Sequence, residues 1–296
     1  MGKKSSLFDD NIHMLIRGFR YPGDEESAAE FFQILQAAGE DYIPTKLGLG
    51  EPLKVPYSIE NAKRMWVESG ENRSYGGILF KSPLLFGSMD WNNRDGSYIF
   101  SITIASKILL SEVAIERFIV LSKELFIWCN GVYGYTNHHS NSIYTPGLDY
   151  KTCLGGITWM TLFGKPYVRM FRKEVIESAP CKVEEFADNC FMLLTAEEPI
   201  MVNPALLEIQ QRVKIHLGED AFCRPNEVPT FLTMEDLCAG RDRPSTEGYR
   251  SPDLSEYLKD TEREKDEGLV AVVNEDGTIT TYQVKPRGRA LKKAKE

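Results

Sequence analysis

Two adjacent histidines, His138 and His139, and a cysteine further along, Cys153, are the side chains best placed to do chemistry. A cysteine nucleophile needs a thiolate-favouring setting and a histidine base. Only the nearness of these three residues in the chain speaks for that, so Cys153 reads as a buried or incidental thiol. Zinc sites space their ligands onto one face, as in H-x-x-x-H on a helix. Adjacent histidines diverge, no other His or Cys stands nearby at a ligand spacing, and the pair reads as a solvated loop. The neighbouring carboxylates Glu184-Glu185 and Glu197-Glu198 fall on different faces of any regular element and read as solvated charge. No Gly-x-Gly-x-x-Gly follows a strand, and there is no Walker loop. No catalytic, metal-ligating or cofactor-binding residue is therefore assigned, no cofactor is expected, and the chain reads as a non-enzyme. A small-molecule hydrolase or transferase using His138, His139 and Cys153 is one alternative, and a structural or assembly protein is another.

Binding offers a second kind of candidate. Trp91 stands in Met89-Asp90-Trp91-Asn92-Asn93-Arg94-Asp95-Gly96, a polar turn context. An exposed aromatic between acids can anchor a partner, so Asp90, Trp91 and Asp95, with His138 and His139, form the partner-binding set. A turn that folds Trp91 back onto the core is the competing reading.

Composition limits the classes of function. Of 296 residues 42% are hydrophobic and 26% charged, enough for a sizeable core. The net charge of −8 lies wholly in the first 240 residues, because residues 241–296 hold 12 basic and 12 acidic side chains. An acidic body disfavours nucleic acid and attracts basic partners; plain solubility explains the same charge. The most apolar stretch, Ala114 to Cys129, is interrupted by Glu116, Arg117, Lys123 and Glu124, so no membrane span is expected. The N-terminus has no apolar region typical of a secretory signal. A cytoplasmic protein with six reduced cysteines is the resulting expectation. Nothing in the sequence gives an oligomeric state.

The elements that position these residues can be read from periodicity. A strand is expected near 14–19. Ala28, Phe31, Phe32 and Leu35 mark an amphipathic helix that stops at Gly39. Ser58 caps a helix whose stripe is Ile59, Ala62, Met65 and Trp66. Strands follow at 77–80 and 98–104, the second alternating apolar and polar. Ser111 caps the clearest helix, running to Trp128 with Ala114, Phe118, Leu121, Leu125 and Trp128 on one face. Asn130 to Pro146 reads as partly loop. Strands are expected at 156–163 and 191–194, and Asn203-Pro204 opens a helix closed by Gly218. Asn274-Glu275-Asp276-Gly277 lies between two β-rich runs and signals a hairpin. The fold class is thus α+β, a mainly antiparallel mixed sheet flanked by amphipathic helices with a C-terminal β-hairpin extension. The divisions are a domain over 1–239, a charged linker over 240–267, the hairpin over 268–284 and a basic disordered tail over 285–296.

Three stretches together resemble bacterial toxin-immunity proteins of polymorphic-toxin and type VI secretion systems. The similar families are the type VI immunity family of formerly unknown function and the immunity protein 52 family. The first stretch is Pro44-Thr45-Lys46-Leu47-Gly48 with Glu51-Pro52 and a short helix ending at Trp66. The second is Gly76-Gly77-Ile78-Leu79-Phe80, followed by Trp91 and an alternating strand. The third is Gly155-Gly156-Ile157-Thr158-Trp159-Met160-Thr161-Leu162-Phe163-Gly164-Lys165-Pro166-Tyr167-Val168, similar to a strand with a central Trp, then a Gly-Pro turn and a helix. The resemblance covers residues 12–235. It implies a cytoplasmic protein that binds a co-produced protein toxin and blocks it without chemistry, and it carries over no catalytic residue. A basic toxin would suit the acidic body.

Overall fold

A strand of alternating side chains opens the computed structural model, which describes residues 11–20, 23–70, 75–92, 97–138, 154–199, 203–223, 250–257, 268–273, 279–284 and 292–293. This strand, β1 (Asn11–Gly18), buries Ile12, Met14 and Ile16 on one face. Then come α1 (Glu25–Ala38), β2 (Lys46–Gly48), β3 (Val55–Pro56), α2 (Ile59–Gly70), β4 (Tyr75–Lys81), β5 (Leu85–Asn92) and β6 (Tyr98–Ala105). After α3 (Glu112–Trp128) follow β7 (Gly131–His138), β8 (Met160–Phe163), α4 (Lys165–Phe171), α5 (Lys173–Glu177), β9 (Lys182–Ala187), β10 (Cys190–Leu194) and α6 (Pro204–Leu217). A separate small sheet holds β11 (Gly268–Val273), β12 (Ile279–Val284) and β13 (Lys292–Lys293).

Among the described residues the main sheet has ten strands in the order β3-β2-β4-β5-β6-β1-β7-β8-β10-β9. All its ladders are antiparallel, so the α+β expectation describes the fold. The helices start where their side chains can satisfy free backbone N–H groups. Asp24 accepts from Ser27 N at 2.7 Å, Ser111 from Ala114 N at 3.2 Å and Asn203 from Leu206 N at 2.9 Å.

Two cores lie on opposite faces of this sheet. Helices α1, α2 and α3 cover one face with Phe31, Phe32, Trp66, Phe118 and Trp128, packed on Phe80, Phe100, Met14 and Trp91. The other face, across β7, β8 and β10, is covered by α4, α5 and α6 with Tyr167, Phe171, Ile176 and Val213. Strand β8 serves both: Met160 and Leu162 enter the first core and Phe163 enters the second.

Several elements differ from the sequence reading. Residues 131–138, expected to be partly loop, form β7 at the centre of the sheet, between β1 and β8. Burial on both faces removes the alternation that identifies a strand. Strand β5 also escapes a periodicity reading, because Gly87, Ser88, Asp90 and Asn92 resemble turn chemistry; in the structure Leu85, Met89 and Trp91 all point into the first core. The expected strand over 156–163 begins only at Met160, since Thr158 turns its hydroxyl onto the Met160 carbonyl at 2.8 Å and diverts the backbone.

Part of the expected charged linker is docked. Leu254 is buried in the second core, Tyr257 packs on Phe19 at 5.6 Å, and Glu256 pairs with Arg169 at 2.9 Å. Both strands of the expected hairpin pair, from Gly268↔Val284 to Val273↔Ile279, while its turn lies outside the described residues. In the expected disordered tail, Lys292 and Lys293 add a short strand to the open edge of β12. The expectation of six reduced cysteines is also corrected. Cys223 is disulfide-bonded, whereas Cys129, Cys181 and Cys190 are free. Sequence spacing does not disclose which cysteines the tertiary fold brings within bonding distance.

Candidate functional site

The residues singled out in the sequence do not assemble. Trp91 is 2% exposed and stacks on Trp66 with centroids 4.8 Å apart, so it is a core residue and not a surface anchor. Glycine at position 76, opposite it across the strand pair, is what admits the ring: a Cβ there would lie 2.3 Å from Trp91 Cε2. Asp90 points to the other face of β5, exposed at its surface, and desolvation raises its carboxyl pKa against the opposing bond from Ser88. His138 is 2% exposed at the end of β7, not in a solvated loop, and its register partner is Ile12 on the first-core face. Asp90 and His138 therefore lie on opposite faces. They also lie toward opposite ends of the sheet, since Asp90 pairs with Ile99 and His138 aligns through Ile12 with Ile104. Asp95, His139 and Cys153 lie outside the described residues.

Another place on the surface is concave. A cleft of about 640 Å³ opens between α3, the start of β9, the segment after β10 and α6. Its floor is apolar, with Ile115 and Ile119 from α3, Leu194 and Ala196 from the β10 end and Ile209 from α6. Its rim carries Glu112, Glu116, Glu197 and Glu198, against Lys182 and Arg212. The spacing 112/116 beside 115/119 sets the acidic row and the apolar row side by side on α3.

The walls are tied together by the motif around Trp159. The fully buried Trp159 donates its indole N–H to the Ala196 carbonyl at 3.0 Å and stacks on Phe118 of α3, centroids 6.4 Å apart. The Thr195 backbone N–H reaches the Trp159 carbonyl at 2.9 Å, and its hydroxyl donates to the Thr158 carbonyl at 3.0 Å. The segment that carries Glu197 and Glu198 is thus fixed relative to α3 by one tryptophan and two threonines.

The cleft sets four carboxylates against Lys182 and Arg212. Cys181 lines the cleft, and burial pushes its pKa up to about 11, which keeps it protonated at neutral pH. No histidine among the described residues lines the cleft. Among the described residues no cluster of His, Cys, Asp and Glu is arranged to hold a metal ion. Carboxylates around an apolar floor can hold a lysine or arginine and bury the side chain beside it.

No protein-family model and no curated protein matches the chain. Among solved structures, a T6SS protein of Pseudomonas aeruginosa aligns over 72% of this chain and 76% of its own length, with TM-score 0.49 and 12% identity. A likeness of that size assigns neither a family nor a residue. Among the described residues no helix is long and apolar enough to cross a membrane.

Sequence reading missed the cleft, although it noticed two of its residues. Glu197-Glu198 stood out as an adjacent pair and read as solvated charge. The other adjacent pair shows the difference: Glu184 is held by Lys123 and Glu185 by Lys173, both at 2.6 Å. What brings Glu197 and Glu198 to the cleft lined by Glu112 and Glu116 is the pairing of β10 with β8 and the bridge from Trp159 to Ala196 and Phe118, which no local pattern encodes. The available signal was the doubled i, i+4 spacing on the helix.

Proposed function

We propose that this chain is a non-catalytic immunity-type protein that binds a co-produced protein toxin through the acidic cleft between α3 and α6. The observation that carries the reading is the state of the rim. Glu112, Glu116, Glu197 and Glu198 form no ion pair among the described residues, while Glu30, Glu184, Glu185 and Glu256 each hold a cation. Unpaired carboxylates around an apolar floor suit a basic segment that carries one apolar or aromatic anchor. The acidic body adds a long-range field of the same sign, which speeds capture of such a partner. The resemblance of the three stretches to type VI and polymorphic-toxin immunity proteins supports the choice of partner class. Trp159, which fixes the cleft walls, stands in the third of them.

The test is co-expression with the product of the adjacent open reading frame, scored by cell survival and by pull-down. Wild type is expected to protect, with binding that weakens steeply as salt rises. The variant E112K/E116K/E197K/E198K should lose protection and slow association by about tenfold or more at low ionic strength. Protection that survives all four reversals, or a strongly acidic toxin, would sink the proposal.

A further inference from the structure

The outer face of α3 carries a pattern that a solvated helix face does not need. Val113, Val120 and Ile127 are 63%, 56% and 47% exposed and recur every seven residues. Seven residues fall about 20° short of two helical turns, so the three side chains form a nearly straight ridge. Arg117 and Glu124 sit between them on the same ridge, and both border the groove between α1 and α3. Directly behind this face, Phe118, Ser122 and Leu125 enter the core. The outer side of the helix therefore carries an apolar ridge between charged flanks, with Glu116 on one side and Arg117 and Glu124 on the other.

The order along the ridge is Val113, Arg117, Val120, Glu124, Ile127, and it is self-complementary when reversed. Laid antiparallel on a second copy, Val120 meets Val120, Val113 meets Ile127, and Arg117 meets Glu124 twice. A two-fold axis across the helix pair also keeps the same flank of each helix together. Arg117 and Glu124 share the flank toward α1, so both charge pairs can close. Beside them Ile34, Ala37 and Ala38 of α1 offer small and apolar side chains that extend the contact.

We propose that the protein forms a two-fold homodimer through α3, packed antiparallel on the α3 of a second copy with Val120 on the axis. The valine and isoleucine side chains supply the affinity. The Arg117–Glu124 pairs are solvent-edged and set register and orientation. Glu116 flanks the ridge and also lines the cleft, so the dimer is tested with changes at Arg117, Val120 and Glu124, none of which lines the cleft.

Sedimentation equilibrium of the full chain tests it. The mass of wild type should rise from 33.6 kDa toward twice that value with concentration. R117E places glutamate against Glu124 in both pairs, and E124R places arginine against Arg117. Each alone should weaken association by about tenfold or more. Mixed one to one, the two variants restore opposite charges at both contacts and should associate as tightly as wild type. V120E puts two carboxylates on the axis and should leave a folded monomer, because the position is exposed. Wild type that stays at 33.6 kDa throughout overturns the proposal. So does a dimer indifferent to V120E, or an R117E and E124R mixture no tighter than either variant alone. Circular dichroism of each variant separates loss of association from loss of fold.

Discussion

Replacing Gly76 by alanine tests the placement of Trp91 in the core. The added Cβ would lie 2.3, 2.4 and 2.5 Å from Trp91 Cε2, Nε1 and Cζ2, whereas carbon atoms pack at about 3.5–4.0 Å. The indole must move by more than an ångström, yet it is stacked on Trp66 with 25° between ring planes, and both rings are buried. Overpacking of this kind costs about 1–3 kcal/mol. Alanine returns roughly 0.5–1 kcal/mol by reducing the freedom of the unfolded strand. The net loss is about 1–2 kcal/mol, or about 2–8 °C in Tm for a domain of this size. Urea unfolding followed by tryptophan fluorescence measures the loss, and near-UV circular dichroism reports the Trp66–Trp91 pair. In a W91L background the space is open, so the same Gly76→Ala change should become neutral or stabilising. An equal cost in both backgrounds, or a gain in wild type, would show that the ring does not lie over Gly76. An exposed Trp91 serving as a partner anchor would give that second result.

Three further outcomes follow from the same contacts. Trp159→Phe removes the donor to the Ala196 carbonyl, which should cost about 1–3 kcal/mol; hydrogen exchange should quicken at residues 195–198 before it changes in α1, and uniform quickening would contradict a local tether. Glu30 accepts from Arg20 and from Trp128 Nε1, and the Arg20 bond, its largest cause, holds its pKa below the ordinary 4.5. Its stabilisation is complete above that value and is lost as the pH falls through the lower folded-state value. Glu30→Gln should therefore flatten the acid limb of an unfolding curve and leave its shape near pH 8 unchanged; an acid limb as steep as wild type would refute the assignment. Cys223 should resist alkylation in denaturant without reductant, while Cys129, Cys181 and Cys190 react. Peptide mass mapping checks this, and ready modification of Cys223 would remove the disulfide.

The sequence by itself determined α1, α2, α3 and α6. Their apolar stripes and capping residues are local, set by a 3.6-residue period and by side chains within three positions of each N-terminus. Thus Ser58, Ser111 and Asn203 cap in the structure as their positions predict. The alternating strand at 98–104 was legible because one of its faces is covered and the other is half-open. Only tertiary structure decided β5 and β7, since Gly87 makes room for Phe80, and burial on both faces erases the pattern of β7. It also decided the candidate site. Glu112 and Glu197 are distant in sequence and meet because Trp159 bridges α3 and the end of β10. Whether Trp91 faced solvent or core depended on a glycine across the sheet, a cross-strand relation that only register establishes.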